Sequence, residues 1–270
     1  MCMQACPLGS LLAGIKREER HINMEETRYK RHLMLPDIGP EGQERLRAGR
    51  VLVAGAGGLG SPVCMYLAAA GVGTIGIADF DKADISNLQR QILYREEDVG
   101  EMKTEAAKRN LEKMNGEICV RTFGEGLNQE NIRRIVSGFD VVVDATDNFY
   151  VRYLISDTCM ELGKPDVYGA ICEFEGQVTV FMPGGPCLRC LSPETPGPGE
   201  GPNFGSFGVL GAVPGIIGSI QAAEAMKILL GIGETLAGRM LFVDVKTMRM
   251  EEMAIQANPK CEWCKRTVMA

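Results

Sequence analysis

Short apolar, β-branched runs alternate along this chain with longer stretches in which apolar residues recur at helical spacing. Residues 51–55, VLVAG, and 74–78, TIGIA, read as strands, and residues 61–70 between them are small, apolar and helix-compatible. Further strands are predicted over 118–123, 140–143, 165–170 and 177–181, with 241–245 closing the sheet. Helices are predicted over 128–137 and over 101–114, where Ala106, Ala107, Leu111 and Met114 share one side and Gly116 is the stop. Another, over 214–230, opens at Pro214, buries Ile216, Ile217, Ile220, Ala223 and Ile228, and ends at Gly231. The alternation predicts an α/β fold, a mostly parallel sheet with helices on both faces and an antiparallel extension from 177–181. Ligands of such a sheet collect at the carboxyl ends of its strands.

The remaining stretches are less regular. Residues 1–23 hold Cys2, Cys6, a short apolar patch and KREERH without a sustained period, and read as a loosely ordered extension. Residues 24–270 are expected to form one domain, because 270 residues with 45% hydrophobic content suffice for a full core. Residues 192–206 are too rich in proline and glycine for a regular element and are expected to form a crossover loop over a partner site.

A formal net charge of −6 argues against nucleic acid and anionic membrane as partners, and a small acidic partner would need a local basic patch. No apolar run of about 18 residues lacks a charge or glycine break, and the N-terminus shows no secretory pattern, so a cytoplasmic protein is expected. In a chain this long and core-rich, 10 cysteines speak for a reducing compartment with a metal site rather than a disulfide scaffold.

The chemistry gathers where the first strand ends. Gly55, Gly57, Gly58 and Gly60 sit at a strand-to-helix turn, where they permit positive φ and let phosphate oxygens approach the backbone. The N–H groups and dipole of the helix that follows favour the negative charge. Asp79 ends the second strand about 20 residues on, the place where a carboxylate accepts ribose hydroxyls. Gly55, Gly57 and Gly60 also satisfy G-x-G-x-x-G, so a nicotinamide or flavin enzyme stands beside an ATP enzyme at this point. Ser86-Asn87-Leu88-Gln89-Arg90-Gln91 and then Lys103 add amides and cations that suit a triphosphate; the bland alternative is a solvated polar loop. Lys103 falls in the first turn of its helix, where a lysine opposes the dipole unless a bound phosphate neutralises it.

Asp144 and Asp147 leave a later strand end, and paired carboxylates beside a triphosphate suggest Mg²⁺. Asp147 could instead cap the helix that starts at Asn148, and Asp144 is expected to shape the turn. Cys187-x-x-Cys190 pairs naturally with Cys261-x-x-Cys264: each CxxC supplies thiolates from a tight turn, and both together close a tetrahedral Cys₄ zinc site with no open position. Redox cysteines are the alternative, but a redox CxxC usually opens a helix. Such a site is structural, a clip that fastens the C-terminus.

GAGGLG, ADFD, SNLQRQ, the lysine of GEMK, DATDN and the paired CxxC motifs, in this order from about Arg28 to Cys264, together resemble the HesA/MoeB/ThiF family, the bacterial relatives of ubiquitin-activating enzymes. The resemblance implies a Rossmann-like domain that binds ATP and adenylates the C-terminal glycine of a small ubiquitin-like sulfur carrier ending in Gly-Gly, for molybdopterin or thiamine biosynthesis or a related pathway. It implies that Arg31, in R-Y-x-R, reaches into the ATP site of the partner in a homodimer, and that Asp147 acts on Mg²⁺ or the reacting centre. Family members that link covalently to their carrier have a cysteine in the crossover loop; the matching position here is Phe204, which favours adenylation alone. No rhodanese-like domain is expected after Cys264, and Cys172 is expected to be a buried small hydrophobe, with substitution for the missing loop cysteine as the alternative. Two other classes remain beside this one: a non-catalytic carrier-binding scaffold and an NAD-dependent oxidoreductase.

Overall fold

The computed structural model describes residues 28–193 and 208–266. Their strands form one eight-stranded sheet in the order β3-β2-β1-β4-β5-β6-β7-β8. β1 (Arg50–Ala54) is central and pairs in parallel with β2 (Thr74–Ala78) and β4 (Val141–Asp144), while β3 (Cys119–Phe123) and β5 (Asp166–Cys172) extend the parallel part on either side. Beyond β5 the direction alternates through β6 (Glu175–Phe181), β7 (Arg239–Asp244) and β8 (Arg249–Ala254). The parallel core and antiparallel extension thus follow the sequence pattern.

Period-2 alternation sends the side chains of β1 to two cores. Val51 and Val53 pack with Val63, Leu67, Leu111 and Ile217, from α3 (Gly60–Ala70), α4 (Lys103–Met114) and α8 (Ala212–Leu230). Leu52 and Ala54 face the other way, onto Ile132 and Ile135 of α5 (Ile132–Val136) and Ile155 of α6 (Phe149–Leu162). Val51, Leu52 and Val53 are fully buried, which is worth about 1.5–3 kcal/mol for each such side chain before chain entropy is counted. By length and composition α8 could cross a membrane, yet it packs against α3 and the sheet at β4, β5 and β6.

Several expectations need correction. Residues 241–245 do not close the sheet, because β8 pairs outside β7. Every residue of β8 is exposed, so it has no apolar face for a sequence pattern to reveal. The helix expected over 128–137 shrinks to α5, because the Asn128 side-chain oxygen accepts the N–H groups of Glu130 and Asn131 and spends those residues on a turn. A further helix, α2 (Gly39–Ala48), follows the short α1 (Lys30–Leu33) and begins in a Gly-Pro pair that reads as a turn; its proline stands where a helix tolerates one. Residues 1–23, loop positions 194–206 and Phe204 among them lie outside the described residues.

Candidate functional site

The carboxyl ends of β1, β2, β4 and β5 open onto a cavity of about 460 Å³ lined by Gly55, Gly57, Gly58, Asp79, Arg90, Gln91, Lys103 and Asp147. These residues lie far apart in sequence, and the parallel register of the strands brings them to one rim.

The glycines divide by role. Gly55 has φ +92, a conformation that favours glycine, and a Cβ on it would stand 2.7 Å from the carbonyl oxygen of Ala145. Gly57 faces open cavity, where a Cβ would meet only the Gln91 side chain, 3.6 Å away. Gly60 does not line the cavity; a Cβ there would lie 2.0 Å from the Gly55 carbonyl oxygen, so its lack of a side chain lets α3 press against the turn. The first turn of α3 has no side-chain cap and faces the glycine turn, which leaves the helix end suited to an anion.

Asp79 is held by backbone: Oδ2 accepts the Ala56 N–H at 2.7 Å and Oδ1 the Asp81 N–H at 2.8 Å. Burial raises its pKa above the ordinary value, opposed by Lys103 and by these N–H donors. Lys103, its side chain 5% exposed, donates to Asp81 Oδ2 at 2.8 Å. Sequence reasoning gave Asp81 no role, although its position two residues past Asp79 on the same strand end was a usable signal. Arg90 lines the cavity and donates to the Ser86 carbonyl at 3.1 Å, and Gln91 is buried with its Oε1 unpartnered. Asn87 lies outside the cavity wall; its carbonyl accepts the Arg90 and Gln91 N–H groups and so builds the turn that presents them. Arg31 is exposed on α1 and takes no part in this chain's own cavity.

Asp144 is fully buried and shapes the turn, its Oδ1 accepting the Thr146 N–H at 3.0 Å and the Thr146 hydroxyl at 2.8 Å. Asp147 is exposed at the cavity wall, and Asn148, rather than Asp147, caps α6. Arg152 and Asp166, which the sequence pattern did not single out, lie buried beside Asp144. Cys172 is half-buried in the cavity wall rather than packed in the core.

A second cluster stands apart from the cavity. Cys187, Cys190, Cys261 and Cys264 place their sulfurs within 4.8 Å of one another, with neighbouring pairs 3.2–3.9 Å apart. A tetrahedron of thiolates at zinc-ligand distance has edges of about 3.8 Å, so the arrangement fits such an ion. Burial pushes the Cys187 thiol up to about 11, whereas at Cys261 burial is outweighed by the backbone N–H groups of Cys264 and Trp263 and the thiol lies below its ordinary value. Contrary to the sequence expectation, each CxxC opens a short helix, Cys187 and Cys190 at α7 (Leu188–Leu191) and Cys261 and Cys264 at α9 (Glu262–Arg266). It is therefore the gathering of all four sulfurs, and not helix position, that favours a metal over a redox pair. Between them Arg189 pairs with Asp157 of α6 at 2.7 Å and stacks on Tyr153 and Trp263, which fixes the cluster to α6.

A glycine turn at a strand end, a ribose-type carboxylate and cations on one cavity define an α/β nucleotide-binding protein. Residues 29–263 match the model of the ThiF family, and the chain belongs to that family. It is 48% identical over 246 residues to the sulfur carrier protein adenylyltransferase of Thermus thermophilus, covering 89% of this chain and 91% of that protein. It is also 48% identical to the SAMP-activating enzyme E1 of Haloferax volcanii, covering 88% of each. Among solved structures it matches E. coli MccB with MccA-N7isoASN at a TM-score of 0.77 and 25% identity, over 88% of this chain and 74% of that one.

Proposed function

We propose that this protein is an ATP-dependent adenylyltransferase that joins AMP to the C-terminal glycine carboxylate of a small ubiquitin-like sulfur carrier ending in Gly-Gly, releasing pyrophosphate. The convergence of Asp79, Arg90, Lys103 and Asp147 on one cavity beside the glycine turn carries this reading. Kinship with a protein named sulfur carrier protein adenylyltransferase and with one named SAMP-activating enzyme E1 supports the choice of substrate. The carrier would serve molybdopterin or thiamine biosynthesis or a related sulfur pathway in the cytoplasm.

In this reading Asp79 accepts the ribose hydroxyls, and the N–H groups around Gly57 and Gly58 meet the phosphates. A carboxylate oxygen of the carrier forms a bond to the α-phosphorus while the bond to the pyrophosphate oxygen breaks, and no proton needs to move. The carboxylate is a weak nucleophile, so the protein's work is to fix it in line and to balance charge on the leaving group. Lys103 and Arg90 supply that charge, joined by Arg31 from the second subunit of a homodimer. Asp147, an exposed carboxylate on the cavity wall, would hold Mg²⁺, which would supply positive charge to the phosphates. The Cys₄ cluster holds zinc as a structural clip; among the described residues it offers no fifth ligand and lies outside the cavity wall.

Exchange of labelled pyrophosphate into ATP tests the reading. Exchange that depends on Mg²⁺ and on a ubiquitin-fold carrier ending in Gly-Gly is the expected result. Tight ATP binding without exchange for any of several carriers would favour the scaffold, and nicotinamide binding would favour the oxidoreductase.

A further inference from the structure

Arg152 is 3% exposed, yet it forms part of the cavity wall. It occupies the first turn of α6, directly after the stretch that carries Asp147. Its Nη2 donates to the carbonyl oxygen of Thr146, and its guanidinium lies 4.7 Å from the centre of the Tyr168 ring. Nη1 is 3.8 Å from Asp144 Oδ2, too far for a hydrogen bond, and neither Nε nor Nη1 has a hydrogen-bond partner.

Charge balance with the buried Asp144 and Asp166 carboxylates accounts for part of this arrangement and leaves the open N–H groups unexplained. A buried guanidinium with open N–H groups is costly, and well-packed apolar residues in place of a buried ion pair are often neutral or stabilising. What the arrangement does achieve is local. The Thr146 carbonyl belongs to the same peptide plane as the Asp147 N–H, so a donor on that oxygen sets the orientation of the peptide that carries Asp147. Asp144 grips the other side of Thr146 through its N–H and hydroxyl. The turn is therefore clamped on both sides, while its Ala145 carbonyl lies against Gly55 of the glycine turn.

We propose that Arg152 is a positioning residue for nucleotidyl transfer, fixing the Thr146–Asp147 peptide so that the Asp147 carboxylate stands at the triphosphate. The inference rests on the role given to Asp147 above. Arg152 acts through Asp147, so the two should behave as one unit under mutation.

The test is carrier-dependent ATP–pyrophosphate exchange by the full chain, with a ubiquitin-fold carrier ending in Gly-Gly, alongside ATP binding and thermal unfolding. Arg152→Lys keeps a cation but loses the planar fork; its kcat is expected to fall about 100-fold, the scale of a small misplacement at a reacting centre, with KM for ATP within about threefold of native. Arg152→Gln is expected to fall further. Adding Arg152→Lys to Asp147→Asn is expected to cost no more than Asp147→Asn alone. A native rate in Arg152→Lys, multiplicative losses in the double variant, or a loss confined to KM would each overturn the inference. So would failure of Arg152→Lys to fold, which would assign Arg152 to the core. Native exchange by Asp147→Asn would remove the site reading itself, whereas loss there with a native Arg152→Lys removes only the positioning role.

Discussion

The side-chain oxygen of Asn148 accepts the backbone N–H of Val151 at 3.2 Å, so the cap of α6 is supplied by Asn148 and the Asp147 carboxylate is left for the cavity. A cap residue replaced by alanine costs about 1 kcal/mol, and Asp147 should not show that cost. Asp147→Ala is expected to unfold within about 0.5 kcal/mol of native, as an exposed site does, while exchange falls about 1000-fold. Thermal unfolding and pyrophosphate exchange on the same preparation check both halves.

Gly57 and Gly60 should fail in different ways. Gly60→Ala drives a methyl against backbone 2.0 Å away and is expected to destabilise the chain by about 3 kcal/mol, the scale of core overpacking. Gly57→Ala meets only ordinary contact at 3.6 Å, so it should fold normally and lose ATP affinity about tenfold as its methyl fills phosphate space. Denaturant unfolding and ATP titration separate them.

Nucleotide affinity should weaken in mild acid. Burial raises the Asp79 pKa, with Lys103 and the Ala56 and Asp81 N–H groups opposing the shift. The ionised form is the better acceptor for ribose hydroxyls, so binding is full above the raised pKa and declines as pH falls through it. The decline should begin at a higher pH than an ordinary carboxylate would give. Removing the Lys103 charge should move it higher still, because that charge favours the ionised form. ATP titrations across pH with native protein and Lys103→Met check the sign.

The cysteine cluster should matter for stability and not for nucleotide binding. One zinc per chain is expected by metal analysis, and Cys190→Ser is expected to lower the midpoint of thermal unfolding by about 5 °C, as a loss of a few kcal/mol does in a chain this long. ATP affinity should persist, because none of the cysteines in the cluster lines the cavity.

How much of this was legible in the sequence depended on whether a residue's role was local. β1 and β2 announce themselves because their buried residues are contiguous and include the β-branched Val51, Val53, Ile75 and Ile77, and the glycine turn because its glycines cluster at a strand end, where Gly55 takes φ +92 beside Ala145. The cysteines were legible because CxxC spacing encodes a turn with its ligands. β8 was not, since an edge strand exposed on both faces leaves no period. Nor was Arg152: a charged residue in the first turn of a helix reads as surface, and its burial follows from Tyr168 on β5, beyond the helix in sequence, closing over it beside Asp144 at the end of β4. Gly60 and Asn87 were placed with the nucleotide ligands by motif, and their geometry gives them packing and turn-building roles instead of places in the cavity wall.

Nucleotidyl transfer is tested most directly by following separate labels on the α- and γ-phosphates of ATP during a single turnover with a Gly-Gly carrier. The α-label should appear on the carrier and the γ-label in pyrophosphate, and both transfers should be lost in Asp147→Asn. A γ-label on the carrier, or ATP held without either transfer, would contradict an adenylyltransferase built on this cavity.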